Sequence, residues 1–142
     1  MGEQEALEAA LEALRYRDLS ESELERKLAD RGFAEDTRSE AVSTLKRTGL
    51  LDERRFAEGR ARSLAARGAG DAFIRDALER AGVPDDVVDD ALAVLEPESQ
   101  RASAIVGRRG SDAKTARYLA AKGFASDTIG DVIASVRREE LG

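Results

Sequence analysis

Asp85-Asp86-Val87-Val88-Asp89 sets acids one helical turn apart, a pattern that can hold the magnesium of a diphosphate substrate, as in prenyl-transferring enzymes. No second acidic motif accompanies it, and 142 residues are few for a prenyl pocket. Acids at the start of a helix explain the string without a metal. Ser111-Asp112-Ala113-Lys114 has the spacing of a serine nucleophile and a lysine base. Its companion motifs are missing, so Ser111 is read as a helix N-cap. Gly68-Ala69-Gly70 and Gly107-Arg108-Arg109-Gly110 lack the spacing and the preceding strand of a phosphate loop, and are read as turns between helices. The chain has no Cys and no His, which removes thiol and imidazole chemistry, disulfides and the usual zinc sites. The carboxylates and lysines that remain form no matching constellation, so the chain is read as a non-enzyme that needs no cofactor and no metal.

Charge then carries the functional argument. Net charge is −6, which makes the whole chain a poor ligand for bare DNA or an anionic membrane. Its distribution is uneven. Residues 1–51 carry 8 basic and 12 acidic side chains, residues 52–96 carry 7 and 11, and residues 97–142 carry 8 and 6. Between 101 and 122, Arg101, Arg108, Arg109, Lys114, Arg117 and Lys122 face only Asp112. A second arginine-rich stretch comprises Arg54, Arg55, Arg60, Arg62, Arg67 and Arg75. A solvated helix face with i,i+4 pairs to Glu58 and Asp71 accounts for it without a partner.

The elements that would position these cations are helices. Two prolines, few β-branched runs and abundant Ala, Glu, Arg and Leu argue for an all-α chain. No apolar run reaches membrane-spanning length and the first residues are acidic, so a soluble, cytoplasmic protein is expected. Three segments align without gaps: 20–45, 70–95 and 111–136. Leu28, Leu78 and Leu119 each stand four residues before a glycine: Gly32, Gly82 and Gly123. Phe33, Val83 and Phe124 follow, and then acids at Asp36, Asp86 and Asp127. This is the pattern of a helix closed by a left-handed glycine, an apolar residue folded back on it, and an acid-led next helix. Ser20 with Glu23 reads as a capping box, and Pro84 as a first-turn proline. A further helix precedes each pair, over 5–17, 53–66 and 97–108; in the first, Leu7, Leu11 and Leu14 form the apolar stripe. The aromatics Tyr16, Phe33, Phe56, Phe73, Tyr118 and Phe124 are assigned to the core. The expected architecture is three tandem three-helix repeats, at 5–51, 52–95 and 96–138, in an elongated, curved array whose neighbours share core.

Gly49-Leu50-Leu51-Asp52-Glu53-Arg54-Arg55-Phe56-Ala57 resembles a signature string of the RecX regulatory proteins. Arg67-Gly68, Gly70, Ile74-Arg75, Leu78 and Gly82-Val83 follow in the same order as in that family. Tyr16-Arg17, Ser20-Glu21 and Glu23-Leu24 resemble its beginning, and Lys122-Gly123-Phe124 with Ile129 its end. The resemblance spans about residues 5–138. It implies tandem three-helix repeats and a non-enzymatic modulator of the RecA recombinase. Such a protein binds the groove of the RecA–DNA filament and inhibits its ATPase, strand exchange and SOS co-protease activity, in recombination and DNA repair. Arg60, Leu64 and Ala69 depart from the family pattern, and Asp71 with Asp85–Asp90 adds negative charge, which favours a protein-dominated interface.

The expected contact residues are Arg62, Arg67, Arg75, Arg101, Arg108, Arg109, Lys114 and Lys122, pairing with acidic recombinase side chains or filament phosphates. The expected partner is the RecA filament, with single-stranded DNA touched only inside that complex, by a monomer independent of membranes. The rival reading is a helix-turn-helix-like nucleic-acid-binding module, with Leu28 to Val42 as two helices across the Gly32 turn. The acidic body and the lack of a basic recognition helix in the first two copies weigh against it.

Overall fold

A computed structural model describes residues 2–142. Among the described residues the chain forms nine α-helices and no strand: α1 Glu3–Tyr16, α2 Glu21–Asp30, α3 Glu35–Arg47, α4 Glu53–Ala66, α5 Asp71–Arg80, α6 Asp85–Ala93, α7 Glu98–Arg109, α8 Ala113–Ala121 and α9 Ser126–Leu141. They fall into three sets of three. In each set the first helix packs on the third, and the second closes the triangle.

Local chemistry sets the helix ends. The Glu23 amide donates to Ser20 Oγ at 3.0 Å and the Ser20 amide to Glu23 Oε1 at 3.1 Å, the expected capping box. After α2, α5 and α8 the same closure recurs. Gly32, Gly82 and Gly123 take φ near +90°, and their amides donate to Ala29, Glu79 and Ala120. The next amides, of Phe33, Val83 and Phe124, reach back to Leu28, Leu78 and Leu119. This paired bonding satisfies carbonyls that the helix end would otherwise leave open. Asp36, Asp86 and Asp127 lie in the first turns of the helices that follow.

Several local expectations need correction. Pro84 is the N-cap of α6, with extended ψ of 151°, rather than a first-turn residue. Ser111 does not cap α8; Asp112 does, accepting from the Thr115 amide at 3.0 Å, while Ser111 Oγ donates to Glu140. The helix begins at Ala113, so the capping position falls on Asp112, one residue after Ser111. In α1 the buried residues are Ala6, Ala9 and Ala10; Leu7 and Leu14 only flank the core and Leu11 is exposed. Small side chains lie where α1 and α3 pack, and the leucines cover the margin. Tyr16 is 83% exposed and Phe73 49%, so neither is core. Tyr16 ends α1 at the rim of a cleft, and the Phe73 backbone presses on the Gly123 turn.

Each set of helices has its own apolar core. Leu24, Leu28, Phe33, Val42 and Leu45 anchor the first. Phe56, Leu64, Ile74, Leu78 and Val88 anchor the second. Ile105, Val106, Leu119, Phe124 and Ile133 anchor the third. The joints between sets are largely polar. The Ser20 hydroxyl donates to the Ala81 carbonyl and the Glu21 amide to Glu53 Oε1 at 3.1 Å. In the next joint the Gly70 amide donates to the Lys122 carbonyl at 2.8 Å and the Ala72 amide to Gly123 at 3.2 Å. Sharing of core between neighbours, expected from the repeat, is thus largely replaced by cap-to-turn hydrogen bonding. The accessible surface is 8368 Å², against about 7,100 Å² for a compact monomer of this mass. That excess fits an array rather than a sphere.

Candidate partner-binding face

The second joint is built from the start of α7. Glu98, the first residue of α7, accepts the Asp71 amide at 2.7 Å and the Ala125 amide at 3.2 Å, so one carboxylate closes the N-termini of α5 and α9. Arg101, one turn later, donates to the carbonyls of Glu96 at 2.9 Å and Ala69 at 2.8 Å, and pairs with the Asp71 carboxylate. Its guanidinium lies 5.9 Å from the centre of the Phe124 ring, and its side chain is only 11% exposed. Backbones meet here without side chains between them: a Cβ on Gly70 would stand 2.5 Å from Gly123 and Phe124 backbone atoms.

Around this joint gathers a group of cations that no carboxylate pairs. Tyr118 Oη and Lys122 Cε lie 3.6 and 3.7 Å from where a Gly68 side chain would begin, so the third repeat reaches over the turn after α4. Arg67, the C-cap of α4, adjoins that turn and is exposed. The Arg109 guanidinium lies 3.7 Å from the centre of the Tyr118 ring, a cation–π stack that fixes both groups. Arg108 lines a cleft with Ala66, Gly68, Ile105 and Phe124. Among the described residues Arg67, Arg108, Arg109 and Lys122 have no ion-pair partner, although acids outnumber bases in the chain.

The other expected contact residues separate from this group. Arg101 is not on the surface; it is the clamp inside the joint. Arg75 donates to Asp89 at 2.6 Å, and that hydrogen bond holds its pKa above the ordinary arginine value. Arg62 is exposed and 3.8 Å from Glu58. Lys114 is exposed in the first turn of α8, two turns from Lys122. The expected pairing of the arginine stretch with Glu58 and Asp71 holds only for Arg62 and Glu58. Arg54 pairs with Asp90 at 2.8 Å and Arg55 with Asp18 at 3.2 Å, while Asp71 is taken by Arg101 from the next repeat. Asp89 and Asp90 of the acidic string are thereby engaged in ion pairs.

Tyr118 and Glu98 are functional candidates that the sequence pattern does not single out. Tyr118 stands four before Lys122, one face of α8, a spacing that points to a shared surface. Nothing local marks Glu98, whose partners are 27 residues away in both directions. A cleft of about 540 Å³ between α1 and α2, floored by Ala9, Leu19, Leu24 and Leu28, holds none of the expected contact residues. No helix among the described residues is long and apolar enough to cross a membrane.

Comparison with known proteins agrees with this architecture. Residues 6–45 match the family model for the first three-helix domain of RecX, and residues 52–92 match that for the second. The chain is 37% identical over 134 residues to the regulatory protein RecX of Chromohalobacter salexigens, covering 88% of each. It is 33% identical over 150 residues to that of Mycolicibacterium smegmatis, covering 93% of this chain and 79% of the relative. The crystal structure of RecX from Lactobacillus salivarius superposes with a TM-score of 0.83 over 95% of this chain and 96% of that one, at 24% identity.

Proposed function

The chain belongs to the RecX family, and from that premise we propose that it is a non-enzymatic regulator that binds the RecA–DNA filament. Binding modulates the filament in the inhibitory direction, lowering ATPase, strand exchange and SOS co-protease activity. The observation that carries the reading is the group of Arg67, Arg108, Arg109 and Lys122 around the Gly68 turn, left without carboxylates on an acidic chain. Desolvating such cations is favourable only against an anionic partner. The acidic remainder repels bare DNA, so the partner presents anions in a fixed array that one face can meet. An array that touches more than one filament subunit gains avidity from several modest contacts. It shifts the filament's state by the difference in its affinity for the two states.

The test is binding to free RecA, to bare single-stranded DNA and to the ATP-bound RecA–DNA filament, with ATPase followed in the same samples. Filament-selective binding with lowered ATPase is expected. Binding to bare DNA alone would support the nucleic-acid module instead, and no binding would leave a scaffold with another partner. Arg108→Glu with Arg109→Glu is expected to weaken filament binding at least about tenfold and to flatten its dependence on salt, since fewer counterions are exchanged. Unchanged affinity across a salt series would remove these arginines from the interface.

A further inference from the structure

The two joints share one arrangement at their first contact and then differ. In each, the first residue of a repeat's first helix is a glutamate that accepts the first amide of the preceding repeat's second helix: Glu53 from Glu21 and Glu98 from Asp71. Three residues later the positions diverge. Phe56 is buried in its own repeat's core, whereas Arg101 turns into the joint and ties Ala69 and Asp71 of the second repeat to the third. Glu98 also takes a second amide, that of Ala125 in its own repeat, so it ties the start of α9 to the joint, where Glu53 shows the cross-joint bond alone. Arg55 also spans the first joint, pairing with Asp18 and donating to the Gly49 and Leu50 carbonyls, but its side chain is 46% exposed where that of Arg101 is 11%. What is particular to the second joint is that its arginine clamp is buried, and Arg67, Arg108, Arg109 and Lys122 stand around it.

We infer that Glu98 and Arg101 are positioning residues for partner binding, holding Arg67 of the second repeat and Arg108, Arg109 and Lys122 of the third as one surface. The inference rests on the filament-binding reading of that surface. Arg101 serves it in two ways. It fixes the Ala69–Asp71 segment beside the Gly68 turn, and it neutralises Asp71, the acid closest in sequence to that turn. Without the clamp the two halves would engage a rigid partner one at a time, and the gain from simultaneous contact would be lost.

The chain's lack of cysteine allows a direct readout. Nitroxide labels on Arg60→Cys in α4 and Ser103→Cys in α7, both exposed, report the distance between the repeats. The expected distribution is narrow in the parent and broadened in Arg101→Met and in Glu98→Gln, which leaves one carbonyl where two oxygens served two amides. Both substitutions are expected to lower filament affinity about tenfold or more. Arg101→Met is expected to cost clearly less in the Arg108→Glu, Arg109→Glu background than in the parent, because half of the cations it positions are gone. Losses that add in full would make Arg101 a direct contact and overturn the inference. Unchanged affinity in both clamp variants, or a distribution that stays narrow, would overturn it while leaving the filament reading intact. If reversing Arg108 and Arg109 changes nothing while filament binding persists, the surface assignment fails and the inference with it.

Discussion

Arg101 and Arg109 lie eight residues apart on α7, and one is locked inside a joint while the other is stacked on the surface. Composition marks both equally as cations in a basic segment. What separates them is the position of Asp71, 30 residues upstream, which only the packing of one repeat on the next brings into reach. Free cations were therefore legible in the sequence as a set, but not the member that serves structure. Glu53 shows the same dependence on packing. Burial in the first joint is the main cause that pushes its pKa above the ordinary 4.5, and the neighbouring Glu21 carboxylate adds to it, while the Glu21 amide and Lys46 oppose. A folded-state pKa above the unfolded one means that the folded chain holds this proton more tightly. Glu53 thus favours folding most below its unfolded pKa, and that contribution is lost as pH rises through the folded value. Glu53→Gln, which cannot ionise, is expected to gain melting temperature relative to the parent as pH rises from below 4.5 to neutrality. Melting curves of both across that series are the check. A difference that stays flat would mean that the Glu21 amide and Lys46 cancel the effect of burial, and one that shrinks as pH rises would mean that they outweigh it.

The helices themselves were legible because their ends are written in local residues. Ser20 with Glu23, the glycines at 32, 82 and 123, and the acids that follow them act within one turn of where they stand. The contact face of α1 was not legible in the same way. Leucine spacing marks an apolar stripe, but close approach of α1 to α3 selects alanine for the line of contact. Glycine shows the same contrast between local and tertiary roles. Gly70 has an ordinary φ of −84°, so its backbone alone does not require glycine. A Cβ there would meet the Gly123 and Phe124 backbone at 2.5 Å, atoms that cannot rotate away. At Gly59, inside α4, an added Cβ would have open space for 4 Å around it. Gly70→Ala is expected to cost about 1–3 kcal/mol by forcing the second joint apart. Gly59→Ala is expected to add about 0.5–1 kcal/mol by raising helix propensity. Denaturant titrations of the two variants test the pair. Equal, small effects would show that the second joint yields without cost.

Three separate apolar cores joined through polar caps make this molecule nearly one-dimensional, and its accessible surface exceeds that of a compact chain of equal mass. In such an array, stability is a sum of repeat terms and nearest-neighbour terms rather than one global quantity. The repeat was legible from matched positions; that the joints are polar was not, because their donors and acceptors are mostly backbone groups with no residue signature. The consequence concerns how damage spreads. Leu28 and Leu78 occupy matched positions and are both fully packed, so truncating either to Ala removes a similar contact set, worth about 2–5 kcal/mol. Their neighbours differ. Leu28 supports an end repeat with one joint, whereas Leu78 supports the middle repeat, which holds both the Ala81 turn and the Gly70 segment. Leu28→Ala is therefore expected to speed amide hydrogen exchange across α1–α3 and leave α7–α9 near parental protection. Leu78→Ala is expected to speed exchange in all three repeats, since both outer units lose their docking partner. Exchange measured amide by amide under native conditions separates the cases. A uniform loss of protection from Leu28→Ala would mean that the joints transmit the full folding free energy, and that the clamp at Glu98 and Arg101 binds the array into a single cooperative unit.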